Sequence, residues 1–131
     1  MQRKFILAGA LIMMIAVILG AMAAHTLKEI LTVDQLNSFE TAVRYQVYHG
    51  LALLIVSQIN LFKARTKSII FYGFIVGVLL FSGSIYLLVL GPLLDLQLSF
   101  LGPITPVGGL CLIITWLFIV VKTLKHKTQN N

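Results

Sequence analysis

The side chains that could do chemistry are gathered on one helical stretch of an otherwise apolar chain. A carboxylate, a guanidinium, a phenol, an amide and an imidazole follow one another there, on Glu40, Arg44, Tyr45, Gln46 and His49. Glu40 precedes Arg44 by four residues, which is the favourable order for an ion pair on one helix face. Such a pair would orient a ligand or relay protons, or it would only anchor the helix at a membrane surface. Both interpretations stay open.

His49 also has two interpretations, one functional and one structural. It follows Arg44 by five residues, which is about 7 Å along a helix axis. An ionisable side chain is costly inside an apolar helix, so His49 is a candidate functional residue. The alternative is a neutral imidazole that is hydrogen-bonded to a tyrosine or a serine of a neighbouring helix.

Polar residues of three other segments are expected to reach the same depth as this stretch. They end the first apolar run, lie in the outer half of the third, or begin the fourth. The candidate ligand-binding site therefore has ten members: His25, Lys28, Glu40, Arg44, Tyr45, Gln46, His49, Ser82, Tyr86 and Thr105.

The signatures of metal and cofactor sites are missing from the sequence. Two histidines on facing helices can ligate haem, but we expect His25 and His49 at different depths in the membrane. No third ligand has the spacing of a zinc site, and no phosphate-binding loop or HExxH motif occurs. Cys111 is the only cysteine, which excludes an intramolecular disulfide and a dithiol oxidoreductase. We expect no metal and no cofactor. An enzyme with His49 as a base is a third and weaker hypothesis.

Composition shows which elements must position these residues. The chain is 59% hydrophobic and 11% charged, with a mean hydropathy of +0.98. Because one small core cannot bury that much apolar surface, the natural solvent is lipid, where helices are the expected elements. We predict an all-α, single-domain, four-transmembrane-helix bundle over residues 1–131. Its helices are expected at 5–24, 33–62, 69–91 and 105–122, with a short interfacial helix at 27–31.

Local signals support several of these ends. Thr26 with Glu29, and Thr32 with Gln35, have the spacing of capping boxes. Thr105 before Pro106 is expected to be the N-cap of the last helix. Glycines in the first, third and fourth helices predict close helix contacts: Gly9, Gly20, Gly73, Gly77, Gly83, Gly108 and Gly109.

Residues 1–23 imitate a signal peptide, but their apolar run is long enough to stay as a membrane helix.

Charge gives the orientation. Only two of the ten cationic residues, Lys28 and Arg44, lie on the side of the membrane that carries all four acids. The positive-inside rule therefore predicts a multi-pass protein of the bacterial plasma membrane with both termini cytoplasmic. The net charge of +6 is expected to meet anionic membrane lipids and not nucleic acid.

Several sequence blocks resemble one known family. They are AHTLK at 24–28, FETAVRYQVYH at 39–49, FSGSIYL at 81–87 and ITPVGG at 104–109. Together they resemble domain-of-unknown-function family 423, which consists of small inner-membrane proteins of bacteria. The resemblance implies an integral plasma-membrane protein with four helices, and it implies no activity.

Two functions remain in competition. The first is binding or transport of a small amphipathic molecule, a lipid or a proton, at a polar site near the outer leaflet. It predicts a cavity between the second, third and fourth helices. The alternative is a structural or accessory protein, in which a closed polar cluster stabilises the bundle. Its glycine faces would then contact a second copy or a partner membrane protein.

Overall fold

The computed structural model describes residues 1–128, with side chains through residue 126, as four main helices joined by short connections. We label them α1 (Gln2–Ile30), α2 (Val33–Gln58), α3 (Ala64–Leu94) and α4 (Ile104–Thr128). No strand occurs within this range. The fold is therefore all-α, as predicted.

Three of the four helices are long and apolar enough to cross a membrane. These are α1, α3 and the helical segment Ser99–His126 that contains α4. The exception is α2, which carries most of the polar stretch described above. Many α2 side chains are instead covered by neighbouring helices, among them Phe39, Gln46, His49 and Leu53.

The helices pack in chain order, each against the next. α1 lies along α2, α2 along α3, and α3 along α4, while α2 and α4 meet in only a few places. One core cluster joins Phe5 of α1 to Leu53 of α2 and Ile70 of α3. A second cluster at the opposite end joins Leu27 and Phe39. Because Phe5 meets the end of α2 and Leu27 meets its beginning, α1 and α2 run antiparallel along their whole length.

The structure corrects the predicted end of the first helix. α1 continues through a π-helical turn, Ala23–Leu27, and a last helical turn, Lys28–Ile30, so the segment 27–31 is not a separate helix. Thr26 lies inside the π-helical turn and caps nothing. The chain turns only at Leu31, whose backbone is extended. Continuation is favoured because Ala23 and Leu27 are buried against α2 and α3.

The cap of α2 is confirmed, whereas its predicted end is wrong. Thr32 Oγ1 accepts from the Gln35 N–H at 3.3 Å, and Gln35 Oε1 accepts from the Thr32 N–H at 3.0 Å. α2 ends at Gln58 and not at residue 62. Lys67 Nζ donates to the Ser57 carbonyl at 3.3 Å, so α3 supplies a cation to the negative end of α2.

The last helix differs from the prediction at both ends, since it begins at Ile104 and continues to Thr128 and not to residue 122. Thr105 is the second residue of α4, and its hydroxyl bonds to a side chain of α3. α3 begins at Ala64, five residues before the predicted start, because the connection after α2 is short.

Several of the predicted glycines mediate helix contacts, but the prediction is wrong for Gly83, where an added Cβ would meet nothing within 4 Å. A Cβ at Gly73 would meet the Thr115 side chain, and one at Gly77 would meet Leu112, so α3 and α4 approach closely. A Cβ at Gly108 would meet the α3 backbone at Leu80 and Phe81. These two residues belong to a π-helical turn, Leu79–Gly83, which widens the middle of α3.

Candidate functional site

A buried amide joins the first three helices. Gln46 Nε2 donates to the Ile12 carbonyl of α1 at 2.9 Å, and Tyr86 Oη of α3 donates to Gln46 Oε1 at 2.6 Å. Gln46 is 5% exposed, so a partner for each end of its amide removes the cost of burying it. We call this the amide network.

Two serines extend the polar contacts from α3 to its neighbours. Ser82 Oγ donates to the Ala42 carbonyl of α2 at 2.7 Å. Ser84 Oγ donates to the Phe81 carbonyl at 3.0 Å and lies 2.6 Å from Thr105 Oγ1 of α4. Because Ser84 uses its one hydrogen on the carbonyl, Thr105 is the donor in that pair. Across residues 1–126, every buried side-chain nitrogen or oxygen has a hydrogen-bond partner.

His49 bridges α2 and α4. Its Nδ1 lies 2.7 Å from the Tyr45 carbonyl, and Trp116 Nε1 donates to its Nε2 at 3.1 Å. A carbonyl only accepts and an indole N–H only donates, so the hydrogen is on Nδ1 and the imidazole is neutral. His49 is 4% exposed, neutral and bonded across helices, as in the second interpretation, but its partner on the neighbouring helix is Trp116 and not a tyrosine or a serine.

A cavity of about 460 Å³ lies beside His49, between α2, the π-helical turn of α3, and α4. We call it the aromatic groove; its lining consists of Tyr45, Tyr48, His49, Phe81, Gly109, Leu112, Ile113 and Trp116. The ring of Tyr45 lies 4.9 Å from that of Phe81, and the ring of His49 lies 6.1 Å from that of Trp116. Tyr48 and Ile113 are 54% and 63% exposed, so the groove opens sideways, toward the surroundings of the helices.

A second cavity, of about 580 Å³, lies one helical turn further toward the start of α2. We call it the polar mouth; its α2 lining includes Asp34, Gln35, Asn37, Ser38 and Thr41. Thr41 precedes Tyr45 by four residues, Ile85 follows Phe81 by four, and Thr105 precedes Gly109 by four. Residues four apart share a helix face. The two cavities therefore lie along the same faces of α2 and α4; on α3, Phe81 lies in the π-helical turn, where this spacing does not hold.

The predicted ion pair between Glu40 and Arg44 is wrong. Arg44 is exposed and donates to Thr41 Oγ1 at 3.0 Å, and no ion pair joins it to Glu40 in the part of the chain that the structure describes. The hydroxyl lies three residues back on the same face, within easier reach than the carboxylate. Arg44 is thereby placed next to Thr41, a residue of the polar mouth.

The ten candidate residues fall into separate groups. Gln46, Tyr86, Ser82, Ser84 and Thr105 belong to interhelical hydrogen bonds, with Ser84 an addition to the predicted set. Tyr45 and His49 line the aromatic groove, and Arg44 borders the polar mouth. His25 and Lys28 lie exposed at the end of α1, and Glu40 is half-buried; none of these three lines either cavity. No group of three His, Cys, Asp or Glu side chains suited to a metal occurs in the residues described.

Sequence reasoning missed two walls of the aromatic groove, Trp116 and Phe81. Trp116 is the only tryptophan of the chain and lies in an apolar run, where it resembles any core or lipid-facing residue. A signal did exist, since Thr105, Gly109 and Trp116 recur at helical spacing along one face of α4. That spacing alone does not identify α2 as the facing helix.

Comparison with known proteins identifies the family. The family described as "Protein of unknown function (DUF423)" matches residues 19–109. A UPF0382 membrane protein of Staphylococcus aureus (strain bovine RF122 / ET3-1) is 41% identical over 126 residues, covering 95% of this chain and 98% of the relative. UPF0382 membrane protein YwdK of Bacillus subtilis (strain 168) is 38% identical over 127 residues, covering 95% and 99%. No solved structure matches. The chain therefore belongs to the DUF423 family, whose relatives are named UPF0382 membrane proteins.

Proposed function

We propose that the protein crosses the bacterial plasma membrane four times, with both termini in the cytoplasm. The antiparallel packing supports four crossings, because α2 lies along the full length of the apolar helix α1. Its 26 residues correspond to about 39 Å, enough to span the hydrocarbon. The cations at the start of α1, in the connection 59–63, on the first turn of α3 and on α4 support the orientation.

We further propose that the protein binds an amphipathic lipid from the surrounding membrane. One acyl chain would occupy the aromatic groove, and the headgroup would lie in the polar mouth. The observation that carries this proposal is the cavity of about 460 Å³ that opens sideways between α2 and α4 beside the His49–Trp116 bond. Mostly apolar cavities between helices, with a few convergent polar groups, are common ligand sites.

Both cavities are lined mostly by apolar surface, and the polar mouth adds polar side chains of α2 along one edge. Tyr45, Phe81, Ile113 and Trp116 offer apolar and aromatic surface to a hydrocarbon chain. One turn further, the Asp34 carboxylate and the hydroxyls and amides of the polar mouth would face a headgroup, with the Arg44 guanidinium beside Thr41. His49 shapes the wall and holds Trp116. With both nitrogens engaged, it has no free position from which to relay a proton.

A structural role is the second candidate function, and the amide network favours it. Gln46, Tyr86 and Ser82 are all engaged in bonds between helices, as expected of residues that only stabilise a bundle. The two functions use different residues. The network fixes how α1, α2 and α3 pack, while the aromatic groove lies on the opposite border, between α2 and α4.

Neighbouring isoleucines of α4 offer a matched test. Ile113 lines the aromatic groove and is 63% exposed, whereas Ile114 does not line it and is 62% exposed. The variants Ile113→Trp and Ile114→Trp add the same bulk to the same helix. Each would be purified in mild detergent beside the wild type, and the lipids that remain bound would be identified by mass spectrometry.

We expect one amphipathic species to remain with the wild type and Ile114→Trp and to be depleted several-fold from Ile113→Trp. Equal retention by both variants would contradict lipid binding in the groove. If none of the three proteins retains a lipid, and both variants have the same thermal stability as the wild type, the structural role is favoured.

A further inference from the structure

A third cavity lies at the opposite end of the bundle from the polar mouth. It has a volume of about 250 Å³ and is bordered by the connection between α2 and α3 and by the end of α4. Its polar lining consists of three lysines, Lys63, Lys122 and Lys125, with Thr66 and His126. Leu61 and Phe62 supply its apolar wall. We call it the lysine pocket.

Within the described residues, no acidic side chain lies at this pocket. The four side-chain carboxylates lie elsewhere: Glu29 on the last turn of α1, Asp34 and Glu40 at the start of α2, and Asp95 beyond α3. Two further cations, Arg65 and Lys67, lie on the first turn of α3. Three exposed lysines that border one cavity give it a positive potential, which attracts anions.

The surroundings of the pocket fit the surface of a membrane. Lys122 borders the pocket, and its Nζ lies 5.3 Å from the centroid of the Phe118 ring, so a cation lies over an aromatic face beside the pocket. Phe62 is half-buried and packs against the core cluster that contains Leu53. The pocket is thus cationic on one side and apolar on the other, at the end of a bundle of apolar helices.

We infer that the lysine pocket binds the phosphate group of an anionic phospholipid. Lys63, Lys122 and Lys125 supply the charge, and the Thr66 hydroxyl donates a hydrogen bond to a phosphate oxygen. The apolar wall favours a lipid over a soluble phosphate, because the acyl chains of a lipid can lie against Leu61 and Phe62. This site is separate from the aromatic groove and does not depend on the function proposed for it.

The test compares two triple variants with equal loss of charge. The pocket variant is Lys63→Gln/Lys122→Gln/Lys125→Gln. The control is Arg3→Gln/Lys4→Gln/Arg65→Gln, which removes three cations from the same end but none from the pocket. The purified full-length proteins would be titrated with phosphatidylglycerol or phosphatidylcholine, and bound lipid would be counted by native mass spectrometry. A third series would add excess inorganic phosphate to the phosphatidylglycerol samples.

We expect the pocket variant to bind phosphatidylglycerol about tenfold or more weakly than the control variant and the wild type, from the contribution of each lysine near a lipid surface. Phosphatidylcholine binding should be unchanged. Equal losses in both triple variants would overturn the site, since they would show a diffuse charge effect. Displacement by inorganic phosphate would overturn the assignment to a lipid.

A single substitution tests the same pocket in case the triple variant does not fold. Thr66→Val removes the hydroxyl and keeps the size, so it should weaken phosphatidylglycerol binding measurably, and Thr66→Ser should restore it. Binding that is unaffected by Thr66→Val and by the pocket variant would overturn the inference.

Discussion

The polar side chains within the bundle divide by what they contact. Gln46 has one partner on α1 and one on α3, so its loss would leave the Tyr86 hydroxyl without an acceptor. His49 contacts α4 through the indole of Trp116. Arg44 has only a local partner, Thr41, and stays exposed beside the polar mouth. Residues of one ten-residue stretch thus have three different roles: stabilising the bundle, shaping the groove, and offering charge at its mouth.

The amide network predicts energetic coupling between Gln46 and Tyr86. Gln46→Leu should destabilise the protein more than Gln46→Leu does in a Tyr86→Phe background, where no hydroxyl is left unpaired. We expect a coupling energy of about 1 kcal/mol, in the range measured for hydrogen bonds between membrane helices. A double-mutant cycle by denaturation in mixed micelles measures it, and strictly additive effects would contradict the network.

At the scale of elements, α3 organises the molecule because it contacts both α2 and α4. Its π-helical turn, Leu79–Gly83, carries Ser82 toward α2 and brings Leu80 and Phe81 against Gly108 of α4. The same turn places the Phe81 ring in the wall of the aromatic groove. The groove therefore depends on the close approach of α3 and α4 at this point.

Two glycine substitutions test that approach. A Cβ at Gly108 would collide with α3 backbone, which cannot yield as a side chain can, whereas a Cβ at Gly83 would meet nothing within 4 Å. Gly108→Ala should destabilise the protein by about 2 kcal/mol through overpacking. Gly83→Ala should be neutral or slightly stabilising. Thermal unfolding in detergent compares the two, and similar midpoints would argue against the close contact.

Sequence patterns predicted the elements better than their ends. Long apolar runs identified α1, α3 and α4, and the Thr32 box gave the start of α2 correctly. The end of α2 was misplaced because Leu61 and Phe62 are as apolar as a helix interior, although they lie in a connection and border the lysine pocket. The continuation of α1 to Ile30 depends on burial of Leu27 against other helices, which no local pattern reports.

The candidate site was predictable only in part, for a related reason. The stretch from Glu40 to His49 stood out because polar residues are scarce in this chain. Which partner each would find is a long-range matter: Trp116 is 67 residues from His49, and Ile12 is 34 residues from Gln46. The prediction of a Glu40–Arg44 ion pair was wrong because a spacing of four residues on a helix allows two side chains to meet but does not require it.

At the scale of the whole molecule, orientation can be tested by cysteine labelling. In a Cys111→Ser background, Asn60→Cys lies in the α2–α3 connection and Gln97→Cys in the α3–α4 connection, and both positions are exposed. With both termini cytoplasmic, a membrane-impermeant maleimide added to intact cells should label Gln97→Cys and not Asn60→Cys. The reverse pattern would contradict the proposed orientation, and labelling of neither would contradict four crossings.

The central claim is that a lipid chain enters the groove between α2 and α4, and the single tryptophan reports on it directly. The measurement is quenching of Trp116 fluorescence in vesicles that contain increasing fractions of a phospholipid brominated on its acyl chain. The matched control, Trp116→Phe/Ile114→Trp, moves the fluorophore two residues to a lipid-facing position outside the groove.

We predict that quenching of Trp116 saturates at a low fraction of brominated lipid, as for a discrete site. In the control it should rise steadily with that fraction, as for ordinary contact with the bilayer. If Trp116 instead follows the same steady rise as the control, the groove holds no bound lipid chain and the proposed function is wrong.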